Sequence, residues 1–249
     1  MIDHADQLLA RATVIDAAEC AAVCAAVHAL RAQWQRRDGA AFHTLGAALY
    51  LDAPRQETLE HFGREAPPVG QYAAFMARYN PLLKARFARL YHAVATSLVA
   101  LLGSEVRYAA DRALPGFHIY EHAEIYADQK SHVPHFDRQH ECIDWSEHSE
   151  IDFNRAISIT LPLQVPPSGA GLRVWDLSLQ DVQAVTRDQA RELAAQAHSR
   201  THVYVTGELI CHRGYLLHQV APWKSCPGDA RITLQAHGLY YDNAWQLYW

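Results

Sequence analysis

The sequence has little of the positive charge that marks a nucleic-acid-binding protein. Its 249 residues include 22 basic and 27 acidic side chains, which give a net charge of −5, and the basic residues form no run. A protein that binds nucleic acid regardless of sequence must neutralise phosphates with Lys and Arg. We therefore expect no nucleic-acid partner.

Long hydrophobic runs and secretory features are also missing. The longest apolar run near a predicted helix, Ala93–Leu102, is too short to cross a bilayer and contains Thr96 and Ser97. The segment Met1–Asp6 has no Lys or Arg, unlike the start of a signal peptide. The five cysteines include no C-x-x-C pair and no zinc-binding spacing. These patterns predict a cytoplasmic protein with no membrane partner.

What the sequence does contain begins with helices. Asp16-Ala-Ala-Glu19 has the pattern of a capping box, and it predicts a helix that continues to about Arg37. A second helical block is predicted from Gln71 to Leu102, with a break near Asn80-Pro81. Its apolar residues recur every three or four positions, which is typical of a helix that packs on a sheet.

From Glu105 onward the apolar period becomes that of strands. The runs 156–163 and 172–175, separated by prolines and glycines, are interpreted as a hairpin. Many short strands with few helices are typical of a β-sandwich or barrel. No linker divides the chain, so we expect a single domain over 1–249, with 1–104 a mostly helical buttress and 105–249 the catalytic core.

The segment Val133-Pro-His-Phe-Asp137 carries the first candidate ligands. Residues i and i+2 of an extended chain point to the same side, so His135 and Asp137 can share one metal ion. His218, within the strand pattern of 214–220, offers a third ligand. Two histidines and one carboxylate on one side of an ion form the facial triad of non-haem Fe(II) oxygenases.

A strand downstream of His218 carries a candidate anion-binding residue. The segment 229–238 alternates, so that Arg231, Thr233 and His237 face one way and the apolar residues face the other. A buried Arg requires a carboxylate, preferably one held through two hydrogen bonds. Asp229 or another structural carboxylate is the alternative partner to a ligand.

Together, His135-Phe-Asp137, His218 and Arg231-Ile-Thr233 resemble the pattern of the Fe(II)/2-oxoglutarate-dependent oxygenases. The resemblance covers roughly residues 105–245. It implies an α+β fold with a mainly β core, a double-stranded β-helix (jelly roll) buttressed by N-terminal helices. It also implies that the triad holds Fe(II), that Arg231 binds the far carboxylate of 2-oxoglutarate with help from Thr233, and that O2 takes the remaining position.

The implied activity is that of a dioxygenase that hydroxylates a substrate while 2-oxoglutarate becomes succinate and CO2. Asp137 argues against the halogenating members, which lack the metal carboxylate. The nucleic-acid demethylases carry a second Arg where this chain has His237. Either Tyr120 or Tyr126 is expected to contact the co-substrate. Candidate residues for a substrate pocket are Arg173, Trp175, Trp145 and His237.

The substrate class stays open at this level. A small molecule, an amino-acid derivative or a natural-product intermediate, is favoured because no recognition domain is visible. The alternatives are a peptide or protein side chain, a cupin-like hydrolase or isomerase that uses Zn or Mn, and a binding module without chemistry. The aromatic segment Trp245–Trp249 is interpreted as a core plug or an oligomer contact, which leaves a homodimer open.

Overall fold

The computed structural model describes residues 9–37, 41–53, 66–128, 133–148, 150–224 and 226–249. Strand β1 (Leu9–Thr13) is followed by helix α1 (Ala17–Ala29). The predicted capping box is confirmed, because the Asp16 carboxylate accepts from the Glu19 backbone N–H and the Glu19 carboxylate accepts from that of Asp16. These bonds satisfy N–H groups that the first helical turn leaves without partners.

The first helix ends earlier than predicted. Its last residue is Ala29, and the chain continues as a short 3-10 turn into β2 (Gln35–Arg37). The indole N–H of Trp34 donates to the carbonyl of Val27 at 3.0 Å, so the chain folds back on the last turn of α1. The N-terminal part thus supplies strands as well as helices, since β3 (Phe42–Leu45) follows before the short helix α2 (Leu49–Asp52).

The long helix α3 (Gln71–Leu102) runs through Pro81, where a break was predicted. The proline removes one helical hydrogen bond, but the predicted apolar stripe is buried along the helix and holds it together. Its backbone departs from helical geometry only at Phe87, with φ −122° and ψ 23°. Gly103 ends the helix as predicted, with a left-handed φ of 64°. The buried members of the stripe are Leu83, Phe87, Leu90, Val94 and Leu98.

A nine-stranded sheet forms the centre of the described part of the chain. It includes β4 (Val106–Tyr108), β5 (Gly116–Glu121), β6 (Asp152–Gln164), β9 (Glu208–Arg213), β11 (Ala230–Tyr241) and β12 (Ala244–Tyr248). The order of its main path is β1-β9-β6-β11-β5-β3-β2, and the neighbours are antiparallel. Strand β12 pairs with β11 and, in parallel, with β4.

A three-stranded antiparallel sheet in the order β10-β7-β8 faces the large one. Its strands are β10 (Leu216–Ala221), β7 (Gly171–Ser178) and β8 (Ser199–Val203). Side chains of the two sheets share a hydrophobic cluster, for example Tyr120 and Ile210 of the large sheet with Val174 of the small one. We call the face of the large sheet that meets this cluster the inner face. Helices α1 and α3 cover the opposite face with the main core.

The predicted hairpin between the runs 156–163 and 172–175 is wrong. The first run lies in β6 of the large sheet and the second in β7 of the small sheet. The intervening residues turn the chain from one sheet to the other, with Gly169 at φ 84° and its N–H bonded to the carbonyl of Pro166. Beyond β7 lie the short helices α4 (Leu179–Val182) and α5 (Arg187–Gln196).

The aromatic segment at residues 245–249 is buried within the chain. Trp245 and Trp249 are 4% and 0% exposed. The Trp249 ring lies against the backbone of Gly116, where any Cβ would stand 1.8 Å from a ring carbon. The interpretation as a core plug therefore fits. No helix among the described residues is long and apolar enough to span a membrane.

Candidate active site

His135, Asp137 and His218 converge as expected from the sequence. One ligand atom from each of the three residues lies within 4.8 Å of the others. His135 and His218 exchange backbone hydrogen bonds of 2.9 and 3.0 Å, while the Asp137 N–H bonds to the carbonyl of Gly214. The expected strand around His135 is reduced to this single bridge beside β10. The i, i+2 geometry nevertheless places both side chains toward His218.

The ring nitrogens of the two histidines have separate partners. Nδ1 of His135 is 2.9 Å from the carbonyl of Val133, and Nδ1 of His218 is 2.8 Å from that of Leu216. A carbonyl only accepts, so each Nδ1 carries a proton, and in the neutral ring Nε2 then holds the lone pair. These Nε2 atoms lie 3.9 and 3.4 Å from the two oxygens of Asp137. The backbone thus holds both rings with the Nε2 atom available as a metal ligand.

The Asp137 carboxylate is buried among histidines. Burial alone raises its pKa, but His218, His237 and His135 outweigh burial and hold the pKa below its usual range. Burial lowers the pKa of His218 to about 3, against the opposing effect of Asp137. An ionised carboxylate beside a neutral imidazole is the protonation state that a divalent metal ion requires.

Arg231 is enclosed on the inner face. Its side chain is 1% exposed, and its guanidinium carbon lies about 5 Å from three aromatic rings: 4.9 Å from Tyr120, 5.2 Å from Tyr204 and 5.0 Å from Trp223. We call these three rings the Arg231 cage. Nη2 makes a long 3.4 Å bond to the Tyr204 hydroxyl, while Nε and Nη1 have no partner among the described residues. Asp229, the alternative partner, instead accepts from the backbone N–H of Cys226.

Thr233 points to the same face as Arg231 and ends a chain of hydrogen bonds. The Thr160 hydroxyl donates to Oε1 of Gln235, and Nε2 of Gln235 donates to the hydroxyl oxygen of Thr233. The hydroxyl oxygen of Thr233 is thus occupied as an acceptor, and its hydrogen is left to donate to another group. Arg231 and Thr233 are two residues apart on β11, so their donor groups lie on the same side of the strand.

The two candidate tyrosines occupy different layers. Tyr120 lies opposite Arg231 in the ladder between β5 and β11 and belongs to the Arg231 cage. Tyr126 stacks on Trp223, with ring centroids 4.7 Å apart, and meets Tyr120 edge to face. The geometry therefore favours Tyr120 as the closer neighbour of an anion at Arg231, with Tyr126 behind it.

Arg173 and Trp175 do not lie with the metal ligands, and their assignment to the pocket is corrected. Val174 pairs with His218, so its neighbours on β7 point to the opposite face of the small sheet. There Trp175 packs with Leu217 and residues of α5, and Arg173 covers its ring at 4.5 Å. Arg173 and Trp175 lie on that face because side chains alternate along a strand, so residues one position from Val174 point away from the site.

Trp145 also takes a packing position. Its indole N–H donates to the carbonyl of His140, and its ring contacts Tyr241 and Tyr248 in a hydrophobic cluster. None of these contacts is with a metal ligand. The pocket assignment of Trp145 is thus corrected as well, because the residue fills a core cluster beside the site.

His237 is the candidate from this group that reaches the ligands. Its Nδ1 lies 3.6 Å from Asp137 and 3.2 Å from the hydroxyl of Ser158. Ser158 itself donates to Asp137, a contact that sequence reasoning missed. The alternation of side chains along β6 could have indicated which face Ser158 occupies. The register that pairs Ser158 with His237, however, is set by the tertiary structure.

Two further residues of the inner face were missed. Tyr204 of the Arg231 cage directly follows β8. His118 lies opposite Thr233 in the ladder, and its Nε2 is 2.6 Å from the Tyr50 hydroxyl. Burial, followed by the charge of Arg231, lowers the pKa of His118 well below its usual value. Its position two residues before Tyr120 on β5 would have indicated the shared face.

Comparisons with known proteins agree with this architecture. SnoN, a non-haem α-ketoglutarate-dependent epimerase from nogalamycin biosynthesis, is similar with a TM-score of 0.53 and 14% identity, over 94% of this chain and 80% of SnoN. SnoK, a carbocyclase from the same biosynthesis, is similar with a TM-score of 0.51 and 11% identity, over 96% of this chain and 83% of SnoK. An N-substituted L-amino acid dioxygenase from Burkholderia ambifaria is similar with a TM-score of 0.49 and 17% identity, over 91% of both chains.

No protein-family model and no curated protein sequence matches the chain. The likeness therefore lies in the fold, and the two structures with TM-scores above one half carry it. Identities of this size leave the substrate undecided, because one fold hosts many reactions. At the level of the fold, the resemblance to the Fe(II)/2-oxoglutarate-dependent enzymes is confirmed: the chain has the fold of non-haem α-ketoglutarate-dependent enzymes.

Proposed function

We propose that the chain is an Fe(II)/2-oxoglutarate-dependent dioxygenase that hydroxylates a small molecule. The observation that carries the proposal is Arg231, a buried cation on the inner face, two of whose nitrogens have no partner among the described residues. A cupin-like hydrolase or isomerase has a use for the three metal ligands but none for this arginine. An amino-acid derivative or a natural-product intermediate is the substrate class that we favour.

The donor set fits Fe(II). Two imidazole Nε2 atoms and one carboxylate converge, and their backbone and side-chain contacts hold them in place before any ion binds. A 2-His-1-carboxylate set leaves positions open on one side of the metal, which is typical of non-haem Fe(II) oxygenases. His135, Asp137 and His218 are thus the residues that we propose as ligands.

The Arg231 cage fits the far carboxylate of 2-oxoglutarate. An unpaired cation is costly to bury, so a site of this kind is built for an anion that arrives from outside. Nη2 carries two hydrogens, so beside its long bond to Tyr204 it can pair with Nη1 or with Nε along one edge of the planar guanidinium and hold a carboxylate through two parallel hydrogen bonds. The Thr233 hydroxyl adds a donor from the same strand. Tyr120 and Trp223 shield the pair from water, which strengthens it.

The described residues divide the work between two ends of the site. Bound Fe(II) and 2-oxoglutarate supply the oxidation by O2, with succinate and CO2 as co-products. Asp137 offsets part of the metal charge, and the two imidazoles fix the direction of the open positions. Arg231 and Thr233 orient the co-substrate, and the Arg231 cage excludes water around its far carboxylate. Productive orientation of reactants is itself a large part of catalysis.

The finer statements about fold and place are also proposals. We propose that the two sheets form a double-stranded β-helix and that the chain is one domain, because the N-terminal strands β1 to β3 are continuous with the large sheet. A cytoplasmic location is supported by the five cysteines, none of which forms a disulfide among the described residues. SnoN and SnoK belong to the biosynthesis of a natural product, which supports a small-molecule substrate.

The test is an anaerobic titration of the purified protein with Fe(II) and then 2-oxoglutarate. Chelation of Fe(II) by a 2-oxo acid gives a visible charge-transfer band, and we expect it at one equivalent of each. The His135→Ala variant should give no band, since it has lost a ligand. Correctly loaded iron without a band would remove 2-oxoglutarate from the reaction and favour the cupin-like alternative with Zn or Mn.

Formation of succinate separates the substrate classes. The loaded enzyme is incubated in air with a panel of amino-acid derivatives and natural-product precursors, and with peptides of mixed sequence. Succinate that rises only with a small molecule, with incorporation of one oxygen atom into it, supports the proposal. Stimulation by peptides alone would assign the enzyme to side-chain hydroxylation.

A further inference from the structure

Beyond the three proposed ligands, a buried hydrogen-bond relay ends on Asp137. We propose that Ser158 and His237 are positioning residues, which hold the Asp137 carboxylate in the orientation that binds the metal. His237 acts through Ser158 in this relay. The inference rests on the proposed metal site. It states that the Asp137 carboxylate is already held in its binding orientation before the ion arrives.

The relay joins three strictly buried groups. The Ser158 hydroxyl donates to Oδ2 of Asp137, and Nδ1 of His237 lies 3.2 Å from the same hydroxyl oxygen. Ser158, His237 and Asp137 are 4%, 8% and 7% exposed. The register pairs Ser158 on β6 with His237 on β11, so two rigid strands of the large sheet fix the distance.

The direction of the protons follows from the groups themselves. An ionised carboxylate only accepts, so the Ser158 hydrogen must point to Asp137. The serine oxygen is then left as an acceptor, and Nδ1 of His237 must carry the hydrogen that it receives. Each donor strengthens the next along such a chain. His237 is thereby held as its Nδ1–H tautomer, and the relay is complete without a metal ion.

The second oxygen of Asp137 is held separately. Nε2 of Gln139 donates to Oδ1 at 2.9 Å. With one donor on each oxygen, the plane of the carboxylate is fixed, and each oxygen retains a lone pair for the metal. Asp137 follows a segment with only a single bridge to β10, so the backbone alone restrains it less than a strand would. The donors from β6 and β11 provide that restraint.

The relay predicts an effect on metal affinity. Groups that orient a metal ligand through hydrogen bonds typically change affinity by about 10- to 100-fold when they are removed. We expect a loss in this range for Ser158→Ala. A smaller loss is expected for His237→Leu, because the serine hydroxyl remains. His237→Asn, whose amide nitrogen stands near the position of Nδ1, should keep most of the affinity.

The experiment measures metal binding to the metal-free protein, with no co-substrate present. Co(II) is titrated anaerobically into the wild type, His135→Ala, Ser158→Ala, His237→Leu, His237→Asn and the Ser158→Ala/His237→Leu double variant. Visible absorption gives both the dissociation constant and the coordination geometry. Thermal unfolding of each metal-free variant reports on the fold. If Ser158→Ala fails to fold, the comparison of His237→Leu with His237→Asn still tests the relay.

The double variant decides whether the two residues form one relay. If His237 acts through Ser158, the double variant binds Co(II) no more weakly than Ser158→Ala alone. Losses that add would overturn the relay and leave His237 with an independent effect. Wild-type affinity in Ser158→Ala would overturn the proposal outright. Wild-type affinity in His135→Ala would instead remove the proposed metal site, so the two failures are distinguishable.

Discussion

Replacement of Arg231 by methionine tests the co-substrate site through two opposite effects. Methionine has a similar length and no charge, so it fills the Arg231 cage without a buried cation. Two nitrogens of Arg231 have no partner among the described residues. A hydrogen bond to a charged group contributes about 1.5–3 kcal/mol, so two of them give at least about 3 kcal/mol, or about a 100-fold loss of affinity for 2-oxoglutarate.

The same substitution should not destabilise the protein without ligand. Loss of an unpaired buried cation removes a desolvation cost, and apolar replacement of buried ionic groups is often neutral or stabilising by about 1–4 kcal/mol. Co-substrate at 100 times its dissociation constant should stabilise the wild type by about 2.7 kcal/mol. At that same concentration, Arg231→Met should show little stabilisation.

The assay is thermal or urea unfolding of Fe(II)-loaded protein under anaerobic conditions, with and without 2-oxoglutarate. Arg173→Met is the matched control, since Arg173 also covers an aromatic ring, at 4.5 Å from Trp175, but lies on the outer face of the small sheet. That variant should respond to 2-oxoglutarate as the wild type does. A fall of about 3–5 kcal/mol in the ligand-free Arg231→Met protein would refute the reasoning, because it is the cost of breaking a buried ion pair.

Three further predictions follow from the same geometry. His135→Ala should lose Fe(II), as measured by metal analysis, but should keep its unfolding temperature because the His135 side chain is 47% exposed. Retained iron would contradict the ligand assignment. Trp175→Ala should lower the free energy of unfolding by about 3–5 kcal/mol without changing the charge-transfer band, since Trp175 packs away from the site. Loss of the band with an intact fold would indicate that Trp175 lines the pocket after all. Gly116→Ala should unfold at a far lower temperature than Gly70→Ala. The Cβ added at residue 116 would stand 1.8 Å from the Trp249 ring, whereas alanine at residue 70 adds only the backbone strain of a φ of 81° and meets no neighbour within 4 Å. Equal stabilities would contradict this packing.

Local rules of sequence predicted much of the molecule. The capping box at Asp16 and the end of the second helical block at Leu102 depend on neighbouring residues, and both are confirmed. The alternation of β11 gave the shared face of Arg231, Thr233 and His237. The convergence of the triad could be expected because His135 and Asp137 are two residues apart, which is enough to put them on one side.

Interactions between distant segments explain where prediction from sequence failed. Helix α1 ends early because Trp34 folds back on Val27. The long helix continues through Pro81 because its buried face packs on the sheet, which outweighs one lost hydrogen bond. The hairpin was wrong because a Pro- and Gly-rich turn can carry the chain between two sheets as well as back within one.

The residue types of the site can be read from the sequence, and so can the faces of single strands, because side chains alternate with a period of two along a strand. Which of these faces meet depends on the tertiary structure. Strand register pairs Ser158 with His237 and sends Trp175 to the outer face, and packing of separate segments builds the aromatic cage around Arg231. Register and sheet packing depend on contacts between residues far apart in sequence, and a one-residue shift would reverse every face.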